Sequence, residues 1–157
     1  MASIEKLNNI PFGAVINPHL IPLASHNDDE GEEFPAIIDE FTISEFISGY
    51  CSYLAIALHE ATDWDIYEEY QLNEINNKYD HIHTWVKTSE GNAVDILGIH
   101  KGNWAATQYS KLTSNRIILK TLINYNYYQK LNNNPCEILE WARDLVKKYP
   151  TYFGIIN

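Results

Sequence analysis

The chain has 157 residues, 45% of them hydrophobic and 13% aromatic, so it can bury one real core, and wholesale disorder is excluded. Its formal charge is −10, with an acidic knot at Asp28-Asp29-Glu30 and Glu32-Glu33, and such a surface repels phosphate backbones. No apolar run reaches the roughly 18 residues of a membrane span. Neither nucleic acid nor a membrane is therefore an expected partner, whereas a basic protein is one.

The N-terminus lacks a basic segment followed by a continuous apolar stretch, so no cleavable signal is expected. That pattern fits the cytoplasm, or export by a dedicated secretion machine. Residues 1–38 hold Pro11, Pro18, Pro22 and Pro35 and the acidic knot, which predicts an irregular arm with one short strand at Ala14–Ile16. A single α+β domain is expected over 39–157.

Regular structure should begin near Phe41. Thr42-Ile43-Ser44-Glu45 has the form of a capping box, with Phe41 and Phe46 as a hydrophobic staple, and Gly49 should stop that helix. A second helix is expected from Cys51 to Ala61, with Cys51, Leu54, Ala55, Leu58 and Ala61 on its apolar stripe. Trp64–Tyr70, Ile82–Lys87 and Ala93–Leu97 alternate as strands do, and Ser89-Glu90-Gly91-Asn92 carries hairpin chemistry. Arg116–Leu122 reads as a strand or as part of a helix. The last helix is marked by Asn134 as cap, Pro135 at its first position and a face of Ile138, Trp141, Ala142, Leu145 and Val146. The expected fold is α+β, with helices packed on a small antiparallel sheet.

Chemistry concentrates between Gly49 and His100. Cys51 falls in the first turn of a helix, where unpaired N–H groups and the helix dipole favour a thiolate. His81 and His83 stand two apart on a strand, so both are expected on one face, with Trp85 beside His83 as an aromatic wall. Tyr50, next to the cysteine, is a second wall residue. A three-residue loop Glu90-Gly91-Asn92 would set Asp95 opposite Lys87, on the histidine face; a two-residue turn at Glu90-Gly91 would set it on the other. Cysteine, histidine and aspartate are the nucleophile, base and orienter that thiol catalysis requires. The competing reading of Cys51 is a buried core cysteine, and that of Asp95 a polar residue on a solvated strand face.

These residues resemble a family. Gly-x-Cys opening an Ala/Leu-rich helix, His-x-Trp-Val on a strand, and a hydrophobic-Asp pair after a glycine turn resemble the papain-like and transglutaminase-like thiol enzymes, over about residues 49–98. The resemblance implies a papain-like/transglutaminase-like core, with Cys51 as nucleophile, His83 as base and Asp95 as orienter. It implies a hydrolase or transferase of amide or acyl bonds (a deamidase, peptidase or transglutaminase) that works through a thioester and needs no cofactor.

Other constellations compete. His81 is an alternate base. Cys136 also opens a helix, and with Gln129 upstream the order His83, Asp95, Cys136 resembles ubiquitin-like-protein proteases, although Pro135-Cys136-Glu137 stands where Asp-Cys-Gly is usual. His-x-His with His59 or His100 has metal-ligand character, but Lys87 and Thr88 stand where a cupin-type glutamate belongs, so no metal is expected. Two cysteines cannot build a zinc site of several thiolates. A reading from another class is a small acidic binding or inhibitor protein, of immunity or anti-defence type, that docks a basic partner through charge and some of its 11 tyrosines. The Lys-over-Arg bias and the asparagines are compatible with an AT-rich microbial or phage genome.

Overall fold

The computed structural model describes residues 34, 36–100, 116–124, 127 and 136–155. The expected strand at 14–16, most of the N-terminal arm, and the expected cap Asn134-Pro135 lie outside the described residues. The described part is α+β, with three helices and a five-stranded antiparallel sheet. The elements run α1 (Glu40–Ser48), α2 (Cys51–Thr62), β1 (Asp65–Asn73), β2 (Lys78–Lys87), β3 (Ala93–Asp95), β4 (Gly98–His100), β5 (Arg116–Thr121) and α3 (Cys136–Lys148). Sheet order is β4-β3-β2-β1-β5.

α1 is capped one turn earlier than the sequence pattern suggests. Asp39 is the N-cap, and its Oδ1 accepts the Thr42 N–H at 2.9 Å. Thr42 thus lies inside the helix, because a carboxylate satisfies the N-terminal donors and also answers the helix dipole. Gly49 ends α1 as expected; its N–H and that of Tyr50 both reach the Glu45 carbonyl, at 3.1 and 3.0 Å. The chain then turns into α2 with Tyr50 as N-cap, and no side chain caps this second helix. Asp63 closes α2 in the left-handed conformation, and the hydroxyl of Thr62 bonds back to the Leu58 carbonyl.

α2 is the central helix. Cys51 and Tyr53 through Leu58 are all buried, because α1, α3 and the sheet surround it. α3 buries the face read from sequence: Ile138, Trp141, Ala142, Leu145 and Val146. Trp141 gathers Phe34, Phe41 and Phe46 about its ring, with centroids 5.3, 6.1 and 4.8 Å away. Outside this core, Arg143 clasps both carboxylate oxygens of Glu60 at 2.8 Å and ties α3 to the end of α2.

Two features of the sheet position the site. The first is a bulge in β2. Glu69 pairs with His83 and Tyr70 with His81, so Ile82 is an extra residue. An extra residue reverses the alternation of side chains beyond it. The second is a pair of tight hairpins. Thr88 N–H bonds to the Asn92 carbonyl at 2.8 Å, which closes a three-residue loop at Ser89-Glu90-Gly91, with Gly91 at φ 87°. A loop of this length with glycine in the left-handed position is a common hairpin closure. The next hairpin joins Asp95 to Gly98 through Ile96-Leu97. β4 is a short strand of three residues with no alternating pattern of its own, so nothing local predicts a strand there.

Gly98 has φ 94°, and a Cβ there would stand 3.3 Å from the Tyr152 carbonyl oxygen. Gly98→Ala should therefore cost about 1–3 kcal/mol, read as a lower urea midpoint. Gly91→Ala, with open space around its Cβ position, should cost less.

Candidate active site

Asp95 is the centre of the site. It ends β3, and its position follows from the hairpin register: Lys87 pairs with Ala93 and Val86 with Val94. One step further sets Asp95 beside Trp85, on the face that carries His83. The three-residue loop expected from sequence is present but begins one residue earlier, and parity keeps Asp95 on the same face. Its Oδ2 accepts from His83 Nε2 at 3.0 Å. Its Oδ1 accepts from His100 Nε2 at 2.9 Å and from the Leu97 N–H at 2.9 Å. All three side chains are buried. Burial alone would raise the Asp95 carboxyl; the charge and hydrogen bond of His100, then those of His83, outweigh it and hold the group well below the usual carboxylate range.

His83 sits midway along β2. An ionised Asp95 can only accept, so the His83 nitrogen facing it is Nε2–H. In the neutral ring this leaves Nδ1 as the basic nitrogen, and the interaction with Cys51 falls to it. The Trp85 indole lies nearly parallel to the imidazole, 14° apart with centroids 6.1 Å apart. Burial lowers the His83 pKa, but hydrogen bonds with Asp95 and Cys51 and the charges of both raise it to about 10.

Cys51 is the first residue of α2 and is 6% exposed. Desolvation raises its pKa. Hydrogen bonding to His83, attraction to that imidazole, and contacts with the backbone and side chain of Thr84 outweigh the burial and lower it. Tyr50, the wall residue expected from sequence, is the N-cap of α2 and is half-buried, its ring edge-on to Phe46 and Tyr53.

The structure thus brings together Cys51, His83, Asp95 and Trp85. It separates His81 from them. In a regular strand His81 and His83 would share a face; the Ile82 bulge turns His81 to the face of Thr84, whose Oγ1 lies 2.6 Å from His81 Nε2. His81 also lies 3.9 Å from Glu68 and meets the Tyr70 ring edge-on. Cys136 is the first residue of α3. His59 donates Nδ1–H to the Trp64 carbonyl at 2.7 Å, at the far end of α2. Among the described residues, no group of three or more His, Cys, Asp or Glu side chains is disposed to hold a metal ion.

His100 was legible only as a metal-ligand candidate. Its role as a second imidazole on the Asp95 carboxylate depends on the turn at Ile96-Leu97. Asp95 sets that turn by bonding Leu97, and the turn returns His100 to the same carboxylate. Protein-family models, characterised proteins and solved structures were each compared with the chain, and none matches it.

Removing the shared acceptor strands two buried imidazoles. Asp95→Ala should cost about 3–5 kcal/mol in urea denaturation, the usual range for breaking a buried charged pair. The pH dependence has a defined sign. The stability from Asp95, whose folded-state pKa is depressed, is full above the unfolded value of about 4 and is lost as pH falls through the folded value. The stability from His83 is full below its unfolded value of about 6.5 and is lost as pH rises towards its folded value of about 10. A urea midpoint followed across pH should fall at both ends, and Asp95→Ala should flatten both.

Proposed function

We infer that the protein is a thiol enzyme with a papain-like or transglutaminase-like core, acting on an amide or acyl bond of a protein substrate. The observation that carries this reading is the orientation of His83. Its Nε2 is held by a buried, ionised Asp95, so Nδ1 is the nitrogen left for a cysteine at the uncapped start of a helix. That is the arrangement of base, orienter and nucleophile in thiol catalysis.

The steps follow from the chemistry. Proton transfer from Cys51 to His83 Nδ1 leaves a thiolate and an imidazolium, the latter stabilised by Asp95. The thiolate attacks a carbonyl carbon, and the carbonyl π pair moves to oxygen. N–H groups in the first turn of α2 are the nearest backbone donors for that oxyanion. The intermediate collapses, the C–N bond breaks, and His83 gives its proton to the departing amine, leaving a thioester on Cys51. Water, deprotonated by His83, then attacks the thioester; the carboxylic acid leaves and the thiol is restored. A glutamine side chain would be deamidated in this way and a peptide bond cleaved; an amine in place of water would give transamidation. The acidic chain suits a basic substrate protein.

A second reading is favoured by the depth of the site. Cys51 is 6% exposed and His83 is fully buried, so a protein that kept the triad for packing and used its acidic surface to dock a basic partner would have the same interior. Alkylation separates the two. On Cys136→Ser protein, iodoacetamide should react with Cys51 in a step well below the roughly 8.5 of a free thiol. His83→Ala should move that step upward, and Asp95→Asn should move it less. A single step near 8 to 9 that His83→Ala leaves in place would favour the binding protein. For turnover, ammonia release or cleavage of basic proteins should be lost in Cys51→Ala and fall by about 10²–10⁴-fold in His83→Ala, while His81→Ala should keep more activity than His83→Ala.

A further inference from the structure

Asp95 is gripped from two sides. Gly98 pairs with Asp95 in the register, so β4 sets no side chain directly beside the carboxylate. The next residue of β4 on that face is His100, which pairs with Ala93, back along β3. His83 stands on the other flanking strand, two residues before Trp85, and approaches from beyond the end of β3. Diagonal neighbours of this kind are within reach of long side chains. His100 Nε2 meets Oδ1 at 2.9 Å, His83 Nε2 meets Oδ2 at 3.0 Å, and both imidazoles are fully buried. An ionised carboxylate can only accept, while the neutral Nε2–H ring and the imidazolium can both donate. His100 is therefore the donor in this bond whatever its charge.

The two oxygens are divided between two tasks. Oδ1 receives His100 and the Leu97 N–H, both from the β3–β4 hairpin. Oδ2 is left to His83. We propose that His100 is a positioning residue of the thiol site, whose Nε2–H holds Asp95 Oδ1 so that Oδ2 stays aimed at His83, and which thereby acts on Cys51 through two other side chains. The proposal deepens the thiol-enzyme reading and rests on it. Without His100, Oδ1 would keep the Leu97 N–H alone. A buried carboxylate with fewer donors takes up a proton more readily. A neutral carboxyl group does not stabilise the imidazolium that forms when Cys51 gives up its proton.

The titratable surroundings are consistent with this role. Burial raises the Asp95 carboxyl, and of the two imidazoles that outweigh it, His100 has the larger effect. Tyr152, from the segment after α3, lies near the carboxylate and gives its hydroxyl proton to the Ile96 carbonyl at 2.8 Å. Burial, then the charge of Asp95, push that hydroxyl well above its usual range, so it stays neutral. Cys51, from α2, faces His83.

The test is the pH–rate profile of iodoacetamide on Cys136→Ser protein, with folding checked by circular dichroism. His100→Phe keeps a flat ring and removes the donor. It should move the Cys51 step to higher pH and slow alkylation near pH 6 by about three- to tenfold, bounded by one lost hydrogen bond to a charged group. His100→Gln, which keeps an N–H donor at the end of its side chain, should return the profile most of the way. A histidine that served packing alone would lower the urea midpoint in both variants and leave the step in place. A parent profile in folded His100→Phe therefore overturns the proposal, and so does a shift that folded His100→Gln fails to reverse.

If either variant fails to fold, the unsubstituted histidine decides. Nitrogen-15 NMR of histidine-labelled Cys136→Ser protein reads which imidazole nitrogens carry protons. His100 should show a protonated Nε2 whose resonance moves with the Cys51 step, because Asp95 joins His100 to His83, and alkylation of Cys51 should abolish that movement. An unprotonated Nε2, or a resonance that passes through the step unmoved, overturns the proposal. The thiol-enzyme reading survives that outcome as long as His83→Ala still moves the Cys51 step. A step at about 8 to 9 that His83→Ala leaves in place would remove that reading first.

Discussion

The rest of the site depends on one buried carboxylate. Asp95 carries its charge out of water, and that is tolerable only because three donors meet it: His83, His100 and the Leu97 N–H. Each donor has a structural consequence. Leu97 makes the turn that begins β4, His100 pins β4 back to the end of β3, and His83 ties both to the middle of β2. The same anion fixes the tautomer of His83. A hairpin, a sheet edge and the basic nitrogen of a candidate catalytic base thus follow from the geometry of one side chain.

Around that anion the fold supplies two rigid supports. α2 is buried on nearly all sides, so its first residue, Cys51, is held by the whole helical core rather than by a loop. That core is itself anchored by Trp141 and the phenylalanines around it. β2 is the central strand of the sheet, bonded to both β1 and β3, and it carries His83, Thr84 and Trp85 in succession. A central strand and a central helix meet where the chemistry is placed. Under the thiol-enzyme reading, this is the precision that a nucleophile and its base need.

The bulge at Ile82 shows how a small backbone irregularity gives similar residues different partners. Two histidines separated by one residue look equivalent in sequence. One extra residue in the ladder sends His83 to a carboxylate and His81 to a hydroxyl. The cost is a local break in strand pairing, placed where β1 and β2 begin to leave the core and become exposed.

The sequence by itself determined the α+β class, the helix starting at Cys51 and the buried face of α3, and it nominated Cys51, His83 and Asp95 together while leaving the face of Asp95 to the hairpin loop. Those features are local: a 3.6-residue stripe, a two-residue alternation, a glycine turn whose parity sets a face. The α1 cap lay outside local reach in part, because Thr42 and Asp39 both suit a helix start; the Asp39 carboxylate takes the cap by accepting the Thr42 N–H. Tertiary structure alone decided the partnership of His100 with Asp95, since it needs a turn and a two-residue hairpin to bring residues five apart to one carboxylate. It alone decided the separation of His81 from His83, since a bulge has no composition of its own and arises from the pairing of two strands. It also decided that Ser52, the residue after the thiol, meets Thr84 at 3.2 Å, because that contact joins a helix start to a strand more than thirty residues away, and distance along the chain carries no trace of it.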